Sequence, residues 1–469
     1  MTRSRLLAAL GAGALLALGA PATVLAHTLN PTYTSRLPLA VYLAGAAATV
    51  ALSFVFVLVR DVRADRPDMS LPGRLPPAWL RVGLRVVGLA AWLWVVVQGI
   101  AGGSSAAEVA TLFLWVYGWV GVAALSALVG PVWHFLDPFS TLFDIGAWIV
   151  RRVGVGSWEL ATYPERFGRW PAVVGFAVVV WIELVVRAGP DVLFIVLVGY
   201  TALTLAMMAQ YGRDSWRSHA EVFTVWFRVL GRLAPYALVD EEGRVRRRPY
   251  FSGLLEPGWA PSDVVLVALG VGSILFDGLS QTQIWFDLFG LPSLLGKTVL
   301  LAGFLGLIVL AALVVTRFVG VAATGAGLLP IALGYLIAHY FTYLVIEGQR
   351  IVIAISDPLQ DGSDLFGTAF FEPSGAWLPP GLVWTLQLAS VVGGHMLGAW
   401  AGHVVAALDA PRELAGRPLT VRQVPLAVVM VALTTLTLWS LGQAIVVAPE
   451  ETAAAAALAA SQAVATSRG

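Results

Sequence analysis

Residues 294–316 read LLGKTVLLAGFLGLIVLAALVVT, and the next residue is Arg317. A hydrocarbon core about 30 Å thick takes about 20 residues of helix, so this stretch has the length and apolarity of a membrane crossing. The arginine that closes it belongs to a pattern running through the whole chain. Nine further apolar runs have the same character, at 38–59, 82–101, 109–130, 171–187, 191–210, 262–280, 326–346, 381–406 and 425–447. The basic residues fall into alternate gaps between these runs. Arg60, Arg63, Arg66, Arg74, Arg81 and Arg85 crowd the first gap, and Arg151, Arg152, Arg166 and Arg169 hold the third. Eight arginines between Arg213 and Arg248 fill the fifth, Arg317 the seventh, and Arg412, Arg417 and Arg422 the ninth. Of 27 basic residues beyond position 5, the odd gaps hold 22. Short basic loops stay in the cytoplasm, which predicts odd gaps inside and both termini outside.

Composition agrees with an all-α bundle of about ten transmembrane helices. The 469 residues are 58% hydrophobic and only 12% charged, with a mean hydropathy of +0.81. A soluble domain is nearer half apolar and a quarter charged. The net charge of +1 argues against a nucleic-acid partner; the bilayer is the partner implied. Cysteine is absent, which removes disulfides, thiolate metal sites and cysteine nucleophiles. The runs at 171–187 and 191–210 are separated by so few residues that they must form a tight helical hairpin.

Residues 1–26 read as a secretory signal: Arg3 and Arg5, an apolar core, then Val24-Leu25-Ala26 with small residues suited to cleavage. Cleavage after Ala26 makes His27 the first residue of the mature chain and leaves that end outside. An amino-terminal histidine can chelate a divalent metal through its amine and imidazole together, and nitrogen ligands favour copper. Secreted copper-binding proteins of the copper-resistance C type and lytic polysaccharide monooxygenases start this way; here the likeness is one residue. The first five-helix half would occupy 27–210 and the second 262–447. Between them, 211–261 contains an amphipathic stretch, His219 to Pro235, expected to lie in the headgroup plane, and a basic polar loop. Two halves of five spans have opposite orientation, an arrangement transporters use. The tail, 448–469, is low in complexity.

Ionisable residues inside spans are costly and tend to face a bundle interior. His339 lies in IAHYFTYLVIEGQ, about 12 Å along the helix from Glu347. His395 and His403 share one run and are also about 12 Å apart, too far to share an ion. His395 could instead meet His339 from the neighbouring span, with Asp277 or Glu347 as further ligand. Three arrangements fit these residue types: a metal or haem site, a proton or ion path along an axis, or side chains hydrogen-bonded to adjacent helices beside packing glycines. Glu183 and Arg187, four apart, are expected to pair, and Asp137 to cap a turn before Pro138. Residues 357–368, DPLQDGSDLFGT, resemble a calcium loop but carry Leu359 and Thr368 where ligands are needed. An irregular turn capped by Asp357 and Asp364 is expected instead.

Five stretches carry a family resemblance: WIELV from Trp181, YTALTLAMMAQYGRDSW from Tyr200, GSILFDGLSQTQIW from Gly272, AHYFTYLVIEGQ from Ala338 and SDPLQDGSDLFGT from Ser356. With the alanine-histidine start they span roughly 26–405 and resemble a family of actinobacterial polytopic membrane proteins often labelled fenitrothion hydrolase. The resemblance implies a plasma-membrane protein and, by that label, phosphotriester hydrolysis. Phosphotriesterases on other folds use a metal-activated water, for which the outer-face donors here are His339, Asp277, Glu347 and the acids of 357–364. Three functions are therefore expected to compete. One is transport or metal handling, with copper taken by His27 and passed to His339 and His395. The others are membrane-bound phosphotriester hydrolysis and a non-catalytic scaffold.

Overall fold

The computed structural model describes residues 44–53, 66, 72–103, 105, 107–153, 160–410 and 417–441. Among these, eight helices are long and apolar enough to cross a membrane. They are α1 (Ala78–Ala101), α2 (Val109–Leu128), α3 (Pro190–Tyr211), α4 (Pro261–Ser280), α5 (Leu294–Val319), α6 (Val321–Glu347, which runs on to Ser356), α7 (Pro380–Asp409) and α8 (Arg417–Leu441). Local chemistry sets their ends. Pro190, Pro261 and Pro380 stand at first helical positions, where the missing N–H costs nothing. Gly320, at a φ of 89°, turns the chain between α5 and α6. The run expected at 171–187 forms a shorter apolar helix, Trp170–Val186, and the first run is described only over Ala44–Ser53. This is a multi-pass helical membrane protein. His27, the segment 1–26 and the tail lie outside the described residues.

Two helices form the axis. Helix α4 is buried over nearly its whole length, and α6 almost as fully. Helix α7 packs against α6 backbone to backbone. A Cβ placed on Gly398 would lie 2.2 Å from the Gly327 carbonyl oxygen, and one on Gly334 2.4 Å from that of Ser390. Only glycine allows such approach, and in a bilayer, where apolar side chains gain little by leaving lipid, close packing is what holds helices together. The outer helices leave apolar side chains uncovered, Leu295, Leu307 and Leu310 on α5 among them, as acyl chains require.

The loops sort by parity. At one end, the Arg74 amide and carbonyl pair with Val245 at 2.8 and 2.9 Å, joining the first gap to the fifth. Arg169 of the third gap grips Asp263 at 2.6 Å, and Arg213 of the fifth reaches Asp144 at 2.6 Å. Arg66 pairs with Asp409 at the edge of the ninth gap. At the other end, Trp94 and Gln98 donate to the Pro358 carbonyl, and Tyr117 donates to that of Gly348.

The fifth gap is a folded cap. A hairpin, β1 (Tyr236–Leu238) with β2 (Val245–Arg247), pairs Tyr236 with Arg247 and Leu238 with Val245. The amphipathic segment forms a helix over Val222–Leu230, but its apolar side does not rest in a headgroup layer. Phe223, Trp226, Phe227 and Leu230 are buried by protein. Trp226 packs at a tilt against Phe176, with ring centroids 5.0 Å apart, and presses on α4 at Gly270. The polar capping groups that bind this helix into the bundle are what the amphipathic pattern could not reveal: Glu221 accepts from the Phe223 and Thr224 amides and from Tyr200.

Candidate functional site

Helix α4 carries Asp277 one turn before its end, and α6 carries His339 just beyond its midpoint. The two meet: His339 Nε2 lies 2.8 Å from Asp277 Oδ2. Both residues are buried, at 5% and 8% exposure, which shields the bond from water. The second Asp277 oxygen accepts from the Gln281 amide at 2.8 Å, one turn on. Neither the imidazole nitrogen nor the carboxylate oxygen can approach so closely without a hydrogen between them, so the pair holds a proton at that point whichever atom owns it.

A second acid sits beside the first. The tight hairpin expected before α3 is preceded by a π-helical turn, Ile182–Val186, that carries Glu183. Single π turns are uncommon and often mark functional positions. Tyr340, next to His339 on α6, donates its hydroxyl to Glu183 Oε1 at 3.3 Å, and its ring stands edge-on to His339 with centroids 4.6 Å apart. Glu183 was expected to pair with Arg187; its bond to Tyr340 joins it to the polar centre. Two carboxyl groups, an imidazole and a phenol from three helices thus share one region.

The remaining expected donors take other partners. His395, fully buried on α7, turns Nδ1 to the Val391 carbonyl of its own helix at 2.8 Å. A carbonyl only accepts, so Nδ1 carries the hydrogen and Nε2 is left without a protein partner. Glu347 pairs with Arg350, and His403 Nδ1 meets Gln423 at 2.9 Å. The expected meeting of His395 with His339 is therefore not what positions either ring. Among the described residues, no group of three or more histidines and acids is placed to hold a metal ion. Beside His339 lies a void of about 10 Å³ lined by Tyr335, Thr437 and Ser440, near the size of one water. The Tyr335 and Thr437 hydroxyls have no protein partner beyond each other.

Two expectations about acids match the geometry. Asp137 caps the helix Pro138–Arg152 by accepting from the Phe139 amide at 2.8 Å. Asp357 and Asp364 close a turn, accepting from the Asp361 and Ala369 amides. Tyr340, Tyr335 and Thr437 are polar-site residues that sequence reasoning missed. Tyr340 had a signal, since it adjoins His339 in a span. Thr437 had none, because threonine in a span ordinarily bonds its own helix. No family model, curated protein or solved structure matches the chain.

Proposed function

We propose that the protein is a proton-linked transporter of the plasma membrane, with Asp277 and His339 as its proton-exchanging pair and Glu183 and Tyr340 as their relay. One observation carries this: an acid and an imidazole from two membrane-length helices share a buried hydrogen bond. Ionisable groups in a bilayer interior are costly and rare, and they mark ion and proton routes. In the full proposal residues 1–26 are removed, ten helices cross the membrane, the arginine-rich gaps lie in the cytoplasm and both termini lie outside. That orientation sets the pair towards the outer half of the bundle.

The test is proton flux in liposomes. The purified chain, reconstituted with a pH-sensitive dye inside, is expected to pass protons down an imposed gradient when cargo is present. Asp277→Asn keeps the shape and removes the proton site, so flux should drop to the level of empty vesicles. Wild-type flux from Asp277→Asn, or none from the wild type with any cargo tried, would sink the proposal. Copper is the first cargo to try, because Asp277 and His339 are two of the metal donors expected from the sequence and they do meet. Stoichiometric copper on the mature protein, lost on His27→Ala or His339→Ala, would support a metal cargo.

A further inference from the structure

A partly open space lies away from the proton pair, at the end of the bundle where the arginine-rich gaps gather. It is a cavity of about 220 Å³ between the last turns of α2, the helix Val222–Leu230 and the β1–β2 hairpin. One water needs about 10–15 Å³, so the space suits a small ligand. Gly130, at a φ of 144°, lets the hairpin close over it: a Cβ there would lie 2.4 Å from the Tyr236 carbonyl oxygen.

The walls are rich in hydrogen-bond donors. Arg228 gives one N–H to Glu241 at 2.8 Å and has the rest of its fork uncommitted. Arg232 binds the carbonyls of Gly253, Glu256 and Pro257 and has no carboxylate within ion-pair distance. Arg248 pairs with Glu256, which Arg246 also reaches, and gives further N–H groups to the Ala234 and Gly231 carbonyls. His134 adds a donor by a tautomer argument. Its Nδ1 faces an Arg217 nitrogen at 3.2 Å, and an arginine never accepts, so Nδ1 accepts and Nε2 carries the hydrogen. Burial, with Arg217 and Arg228 nearby, holds this imidazole down at about 3, so it is neutral near pH 7. Ser126, 1% exposed, belongs to the cavity wall, and its hydroxyl has no hydrogen-bond partner in the protein. The acids present, Asp240, Glu241 and Glu256, are each engaged by arginine. Arg228 and the His134 Nε2–H keep donor capacity, one Glu241 oxygen has no hydrogen-bond partner, and Trp133 and Phe227 supply an apolar wall.

We propose that this cavity is a binding site for a phosphate-bearing ligand, held by Arg228, Arg232, Arg248, the His134 Nε2–H and the Ser126 hydroxyl. Phosphate presents several strong acceptors to forked donors, which is what the walls offer. The phosphate could belong to a soluble monoester or to the headgroup of an anionic lipid in the adjoining leaflet. The site is independent of the proton pair.

The full chain in detergent should be melted with glycerol 3-phosphate, inorganic phosphate or succinate, and examined by native mass spectrometry from nanodiscs containing phosphatidic acid. Glycerol 3-phosphate or phosphate raising the melting midpoint supports a soluble source; retained phosphatidic acid supports a lipid source. In either case Arg228→Gln should weaken binding by about tenfold, while Arg85→Gln, at a surface ion pair elsewhere, should not. Ser126→Ala guards against misfolding, because its hydroxyl makes no protein hydrogen bond to lose: its unliganded midpoint should change little and its phosphate affinity should be several-fold lower. Succinate binding as well as phosphate, unchanged affinity in both variants, or no phosphate compound bound at all would overturn the assignment.

Discussion

At the scale of single residues, the protein keeps its ionisable groups buried by pairing them, and removing one partner exposes the cost. Arg217 is 2% exposed and lies 3.3 Å from Asp137, which also caps its helix. Asp137→Ala should therefore lose the cap and leave a buried guanidinium short of its closest acid, a cost of about 3 kcal/mol or more. A fall in melting midpoint no larger than that of an exposed acid, such as Glu242→Ala, would contradict this. His134 gives a pH test. Its pKa is depressed in the folded protein to about 3, whereas an unfolded chain takes up the proton near 6.5. Between those values the unfolded state binds more protons, so stability is full above about pH 6.5 and declines as pH falls. The slope contributed is at most about 1.4 kcal/mol per pH unit. Melting between pH 7 and pH 5 should drop less steeply in His134→Gln than in the parent. Equal slopes would mean that the folded ring takes up its proton as readily as the unfolded one.

At the scale of helices, the α6–α7 contact rests on glycines that hydropathy does not distinguish from any others. Gly398→Ala would drive a methyl group into the Gly327 carbonyl oxygen, and the helices would have to part at a cost of about 3 kcal/mol. Gly393 is five residues away on the same helix, yet a Cβ there meets nothing within 4 Å. Gly393→Ala should be neutral or stabilising by up to about 1 kcal/mol, through helix propensity. Thermal unfolding of the two variants in one detergent checks the contrast; similar melting would mean that the close approach is relaxed in solution.

At the scale of the whole molecule, parity is the governing property. Bonds from Arg74 to Val245 and from Arg169 to Asp263 gather odd gaps at one end, while Pro358 and Gly348 receive bonds from the opposite end of α1 and from α2. The chain has no cysteine, so single cysteines report sidedness cleanly. In intact cells a membrane-impermeant maleimide should label Leu365→Cys, and it should label Glu242→Cys only after permeabilisation. The reverse pattern would invert the proposed orientation and move the phosphate cavity to the exterior. Labelling of both in intact cells would break the parity itself.

The sequence alone determined that this chain is a helical membrane protein and where most of its crossings lie, because length, apolarity and basic flanks are local properties that a bilayer reads directly. It marked Asp277 and His339 as unusual, since charge within a span is conspicuous wherever it occurs. What it could not decide was who meets whom. His395 has the same local signature as His339, yet one ring bonds its own backbone and the other an acid 62 positions away in the chain. Amphipathicity over Val222–Leu230 likewise announced a covered face without saying whether lipid or protein covers it. Partner choice depends on helix rotation and on close approach at a few glycines, and those are set by packing across the whole bundle, so only the tertiary structure could supply them.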